Sequence, residues 1–200
     1  VNKMPYFNRS QGSLDWGPID VLFEETSDAQ TALWAANELQ KDHQKPFFLA
    51  CGIYRPHLPW HVPKEFFEKF PVKDIILPDI NTEDLEDVPA KGIEMSDGLT
   101  MKGDYQRISR HGKKKEAVQA YLASTNYADK CVGLILDALD KSRYRDNTIV
   151  VLWGDHGWHL GEHAIWGKHS LFEESLRSPL IIVDPVIQRP GVITNSIVET

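Results

Sequence analysis

The sequence predicts an α/β fold, and three observations carry that reading. Pro46–Gly52, Thr148–Trp153 and Pro179–Val183 are continuous apolar runs, the pattern of strands buried on both faces, as in parallel sheets. Two segments with helical spacing stand before the first and second runs. The order helix, strand, loop, helix, strand, loop, strand is then an α/β pattern.

Residues 1–25 contain Pro5, Gly12, Gly17 and Pro18 among scattered aromatics and read as an ordered loop. A helix is expected over about 26–43. Ser27 or Asp28 can cap it, and Ala29, Leu33, Ala36 and Leu39 or Gln40 recur along one side. Lys45-Pro46 ends it and opens the first strand. Tyr54–Pro63 is a proline-rich loop carrying His57, Trp60 and His61, followed by a short helix over about 64–70. Residues 71–112 show weak periodicity and several acidic side chains. They read as a surface excursion with one short helix near Tyr105. The strongest helix is expected over about 114–141, with Ala117, Tyr121, Ser124, Ala128, Cys131 or Val132, Ile135 and Leu139 in one stripe. Arg145-Asp146-Asn147 then turns the chain into the second strand.

Composition limits the function classes. Two hundred residues, 42% hydrophobic and 26% charged, suit one globular domain or a large piece of one. The net charge is −7, and the only basic run, Lys113-Lys114-Lys115, fits a solvated helix start. No nucleic-acid footprint is expected. No apolar run reaches membrane-spanning length, so no membrane partner is expected. Val1–Ser10 lacks the pattern of a signal peptide. The first residue is not Met and the last five read as an element just beginning, so a fragment is expected. Cys51 and Cys131 read as inert buried thiols, with a disulfide left open.

The chemistry concentrates after the second strand, in Gly154–Ser170. With Trp153 just before it, this segment holds four of the eight histidines and three of the six tryptophans, a density that a simple turn does not need. Asp155 comes two residues after the strand, where its carboxylate can project into a crevice and suit a hard divalent cation. Lys168 and the histidines would supply positive charge for an anion. The plainer reading of Asp155-His156-Gly157 is a turn whose aspartate caps backbone amides. The neighbouring Trp, Glu, His and Lys residues weigh against it. In α/β sheets ligands gather beyond the carboxyl ends of strands. His57 and the Gly154–Ser170 loop both follow strands and are expected to meet there.

Gly154-Asp155-His156-Gly157-Trp158-His159-Leu160-Gly161-Glu162-His163, followed by Trp166-Gly167-Lys168, resembles the late active-site segment of sulfatases of the iduronate-2-sulfatase-like branch. Lys45–Gly52 with Arg55-Pro56-His57-Leu58-Pro59-Trp60 resembles the same family's strand and Pro-His-x-Pro loop. Tyr121-Leu122-Ala123-Ser124 with Tyr127, Asp129 and Val132-Gly133 resembles its preceding helix. These landmarks come in family order over roughly residues 26–200.

The resemblance implies the alkaline-phosphatase-superfamily fold, a large mixed, mostly parallel sheet between helices, of which residues 1–200 are part of a single catalytic domain. It implies Asp155 and His156 as ligands of one Ca²⁺. Lys168 would bind the sulfate, and His57 would contact the sulfate or the leaving group. Trp158, His163 and Trp166 would shape the substrate pocket, although a loop tryptophan is more often packing. The substrate would be a sulfated small molecule or carbohydrate, and the enzyme exported or lysosomal.

One departure is plain. Sulfatases make a formylglycine nucleophile from a Cys/Ser-x-Pro/Ala-x-Arg motif. Cys51-Gly52-Ile53-Tyr54-Arg55 has the wrong spacing, and Cys131-Val132-Gly133-Leu134-Ile135 has no arginine. The family's Asp-Asp pair of metal ligands and its C-terminal subdomain are also missing. The N-terminal part of the same enzyme would be needed to complete the site, and these residues alone are expected to be inactive. Two other readings stay open: a phosphodiesterase or phosphonate hydrolase of the same superfamily using Zn²⁺ or Mn²⁺, and a non-catalytic sugar-binding domain with a degenerate site.

Overall fold

Parallel strands β1 (Trp16–Ile19) and β2 (Trp60–Pro63) pair in register Trp16↔Trp60 to Ile19↔Pro63 in the computed structural model, which describes residues 14–81, 83, 86–96, 101–187 and 191–199. Parallel neighbours need a long crossover, and helix α1 (Ser27–Leu39) lies within it. Both strands were expected to be loop. Trp16 and Trp60 are buried against each other, ring centroids 6.4 Å apart, and that anchoring turns two short irregular-looking segments into a ladder.

The chain divides into two units: Val1–Leu77 with Lys113–Arg145, and Pro78–Gly112 with Asp146–Thr200. The first is built on the packing of α1 against α5 (Lys114–Asp140). Its contact faces are small: Ala29, Ala32 and Ala35 on α1, and Ala117, Ala120, Ala123 and Ser124 on α5, all buried. Small side chains let the two helices approach closely, and residues three and four apart fall on one side. The buried stripe of α1 therefore runs through Asp28, Ala29, Ala32, Ala35 and Leu39, rotated from the expected Leu33 and Ala36. On α5 it includes the expected Ala117, Ser124, Cys131 and Leu139, together with Tyr127.

Short helix α2 (Lys64–Glu68) completes this core with Phe66 and Phe67. Phe23, Phe66 and Tyr127 form an aromatic triangle with centroid separations of 6.0, 5.6 and 5.3 Å. The Lys130 ammonium lies 4.0 Å from the Phe23 ring centroid, a cation–π contact at the rim of that triangle. Both thiols are free, Cys131 buried and Cys51 half-buried.

The apolar run Pro46–Gly52 forms no strand, contrary to expectation. Phe48 is 91% exposed, and among the described residues no strand pairs with the run. A strand buried on both faces needs neighbours for its peptide groups and cover for its side chains, and this run has neither. Phe47 instead packs on His43 and Tyr144.

The second unit holds helices α3 (Ala90–Ser96) and α4 (Met101–Arg110), in the stretch where one short helix near Tyr105 was expected. Strand β3 (Val150–Trp153) pairs antiparallel with β6 (Leu180–Val183), from Val150↔Val183 to Trp153↔Leu180. Both strands were expected to be buried on two faces, yet Val151, Trp153 and all four β6 residues are exposed. A two-stranded ribbon with little packed on it cannot bury such side chains. A smaller antiparallel pair joins β4 (His159–Leu160) to β5 (Trp166–Gly167), and α4 packs on β5. Helix α6 (Glu173–Leu176) precedes β6. Parallel and antiparallel pairs thus coexist in a mixed α/β arrangement.

Candidate functional site

The loop leaving β3 is fixed by two backbone bonds. Gly154 N–H donates to Pro179 O at 2.9 Å, and Gly157 N–H donates to Ser175 O at 2.7 Å. At Gly157 a side chain has no room: a Cβ would stand 2.0 Å from Glu174 O and 2.7 Å from Arg177 O. Glycine is what lets the Asp-His-Gly loop lie directly on α6.

His156 is the centre of the first cluster. Its Nδ1 lies 2.7 Å from Gly157 O. A carbonyl only accepts, so the proton sits on Nδ1 and the Nε2 lone pair is turned outward. Lys168 Nζ approaches that Nε2 to 2.5 Å, and Asp155 Oδ2 lies 3.3 Å from it. One carboxylate oxygen, one imidazole lone pair and one ammonium therefore converge on a single point. The Asp155 side chain is 83% exposed, against the expected crevice, because the β3–β6 ribbon beneath it is open.

His163 and Trp166 sit differently. Trp166, on β5, is 2% exposed and packs in the interior of its unit. His163 stacks on Phe172, centroids 3.9 Å apart and planes 15° apart, with Nε2 3.3 Å from Glu174 Oε2. It adopts a left-handed backbone, φ 55°, and so does Ala164, φ 56°. Such conformations cost about 1–3 kcal/mol each and persist where surroundings enforce them. Trp158 is half-buried.

His159, which the sequence reading did not single out, is fully buried. Its Nε2 lies 2.9 Å from Ser170 Oγ, which in turn lies 2.9 Å from Ser175 Oγ. Burial pushes its imidazole pKa below the ordinary value, opposed in part by the Glu174 and Glu162 carboxylates. Its neighbour Glu174 is fifteen residues away in sequence, so only the tertiary fold reveals the pairing. A cleft of about 310 Å³ borders Ser170, lined by Val88, Met95, Leu171 and Phe172. It contains none of Asp155, His156 and Lys168, and its wall is mostly apolar, with His169 at its edge.

His57 belongs to the first unit. Its Nδ1 lies 2.6 Å from Leu58 O and 2.7 Å from Tyr54 Oη, so Nδ1 carries the proton and Nε2 is the atom left to meet a ligand. The preceding loop is tethered by Asp28. This nearly buried carboxylate accepts Tyr54 N–H at 3.1 Å and Arg55 N–H at 3.0 Å. From the sequence alone, Asp28 is only a possible cap.

The chain matches the profile of the family described as Sulfatase over residues 2–199. It belongs to the sulfatase family. A sulfatase of Formosa agariphila is 38% identical over 171 residues, covering 86% of this chain and 34% of that protein. Human iduronate 2-sulfatase is 37% identical over 189 residues, covering 84% and 33%. The phosphonate monoester hydrolase of Agrobacterium radiobacter superposes with a TM-score of 0.67 over 88% of this chain and 38% of its own, at 23% identity. That likeness is one of fold. The chain spans about a third of the length of the curated sulfatases it matches. Among the described residues no helix is long and apolar enough to cross a membrane.

Proposed function

We propose that this chain supplies the later part of a sulfatase active site, hydrolysing sulfate esters of a carbohydrate with a formylglycine nucleophile provided by a segment outside these residues. The observation that carries the proposal is the convergence of Asp155 Oδ2 and Lys168 Nζ on His156 Nε2, at 3.3 and 2.5 Å. Sulfatase relatives at 37–38% identity support the reaction class.

The donors fit part of a cation site. Asp155 offers a hard carboxylate oxygen and His156 an unprotonated imidazole nitrogen, and the remaining ligands of a calcium ion would be oxygens. When bound, the ion would stabilise negative charge on the ester oxygens. Lys168 would bind a non-bridging sulfate oxygen and stabilise charge building on the leaving oxygen. His57, its ring held by Leu58 O, would present Nε2 to the sulfate or the leaving group. Trp158 would form a wall for the sugar. Buried Trp166 and stacked His163 would support that wall from behind. An exported or lysosomal setting fits this reading.

The test compares the 200-residue chain with the complete gene product on 4-nitrophenyl sulfate in calcium. The complete enzyme should turn over the ester, and Asp155→Asn should abolish both activity and calcium uptake. The 200 residues alone should be silent. Hydrolysis by those residues alone overturns the shared-site reading. Preference for a phosphate or phosphonate ester, with manganese or zinc in the purified enzyme, overturns the sulfatase reading.

A further inference from the structure

A second group of metal-ligating side chains lies beside the first but shares no residue with it. The ligand atoms of His159, His163 and Glu174 all fall within 4.8 Å of one another. Glu174 Oε2 stands 3.3 Å from His163 Nε2 and 4.0 Å from His159 Nδ1. We propose that His159, His163 and Glu174 form a binding site for a transition-metal dication, best matched by Zn²⁺, separate from the Asp155–His156 pair.

Three features of the cluster lead there. The first is an unpartnered atom. His159 is fully buried, and its Nδ1 has no hydrogen-bond partner although it faces Glu174. A separation of 4.0 Å is too long for a hydrogen bond. Buried polar atoms are rarely left so, and a cation between nitrogen and carboxylate would satisfy both.

The second is the opposite edge of the ring. His159 Nε2 meets Ser170 Oγ, and Ser170 meets Ser175. With Nε2–H given to Ser170 and the Ser170 proton given to Ser175, the Nδ1 lone pair is aimed at Glu174. Metal-bound histidines commonly fix their free nitrogen in this way. Burial also disfavours the charged imidazolium, which keeps the ring in the form that ligates.

The third is the donor set. Two imidazoles and one carboxylate suit Zn²⁺ rather than Ca²⁺, which prefers oxygen. Ligands at about 2.0–2.2 Å in a tetrahedron stand about 3.3–3.5 Å apart. The His163–Glu174 edge already has that length, and the His159 edge must close by about half an ångström. Glu174 is one-third exposed, so water can take the fourth position. The site would clamp the left-handed turn at His163 to α6.

Zinc alone is the probe, titrated against a chromophoric chelator with calcium in excess, followed by cobalt substitution. One equivalent of zinc should bind, and cobalt should give the intense visible absorption of four-coordinate Co²⁺. Glu174→Gln should weaken zinc by more than the roughly 10–100-fold typical of changes one shell further out. Ser170→Ala, a positioning change, should weaken it within that range and shift the cobalt spectrum. Asp155→Asn should leave zinc binding intact. Far-ultraviolet circular dichroism of the metal-free variants checks that they are folded, and if Glu174→Gln is not, Ser170→Ala decides. Absence of zinc binding, unchanged binding in the folded variants, or its loss in Asp155→Asn would overturn the proposal. The first of these would mean that His159 turns Nδ1–H toward Glu174 without an ion.

Discussion

The α-carbon of Gly157 faces the carbonyl oxygen of Glu174 so closely that a methyl group on it would stand 2.0 Å away. Both partners are backbone, so neither can swing aside. Gly157→Ala should cost about 1–3 kcal/mol through forced displacement of α6. It should also pull Asp155 and His156 out of register with Lys168. Urea denaturation reads the first effect. A midpoint equal to that of the parent chain would show that the loop and α6 are not locked together.

Tyr127 gives a prediction at alkaline pH. Its hydroxyl meets Thr26 Oγ1 at 2.6 Å and accepts Ala29 N–H at 3.2 Å. Burial raises its pKa to about 12, with Thr26 opposing and Cys131 and Asp28 adding. An unfolded tyrosine ionises near pH 10, so the unfolded state loses its proton first. Stability from this group is intact below about pH 10 and should fall by about 2–3 kcal/mol toward pH 12. Tyr127→Phe should be about 1 kcal/mol less stable at pH 7 and should lack that part of the alkaline decline. Parallel pH curves for the two proteins would refute this.

Asp28 ties the His57 loop to α1 through two amides. Asp28→Ala should cost about 3–6 kcal/mol, since bonds to a charged group contribute about 1.5–3 kcal/mol each. Asp28→Asn, which keeps one carbonyl oxygen, should cost less. Equal denaturation midpoints for the alanine variant and the parent would mean that Tyr54 and Arg55 find other acceptors.

Lys168 is predicted to act on the sulfate rather than on the cation. In the complete enzyme Lys168→Met should lower kcat/KM for 4-nitrophenyl sulfate by about 10²–10³. Calcium affinity should not fall, because the ammonium competes for the His156 lone pair. A loss of calcium binding in this variant would contradict that division of labour.

The helices were legible because small and apolar residues recur at their spacing, and α5 begins and ends within a residue of expectation. The strands were legible only in part. Apolarity located β3 and β6, but it could not distinguish them from Pro46–Gly52, which has the same composition and forms no strand. The difference lies in partners, which are remote in sequence. The Asp155, His156 and Lys168 grouping was readable from local density and motif. The role of Asp28 and the meeting of His159 with Glu174 were not, because each depends on one side chain reaching a segment fixed elsewhere by packing.

The β3–β6 ribbon has a practical consequence for anyone handling these 200 residues. It shows Val151, Ile181, Ile182 and Val183 to water, and within the described residues it has only two strands. Such a strip is adhesive along its rims and on its sides. Its stickiness should grow on gentle warming from the cold and with sulfate salts, and relax in dilute urea. Solution behaviour will therefore follow concentration and salt more than net charge.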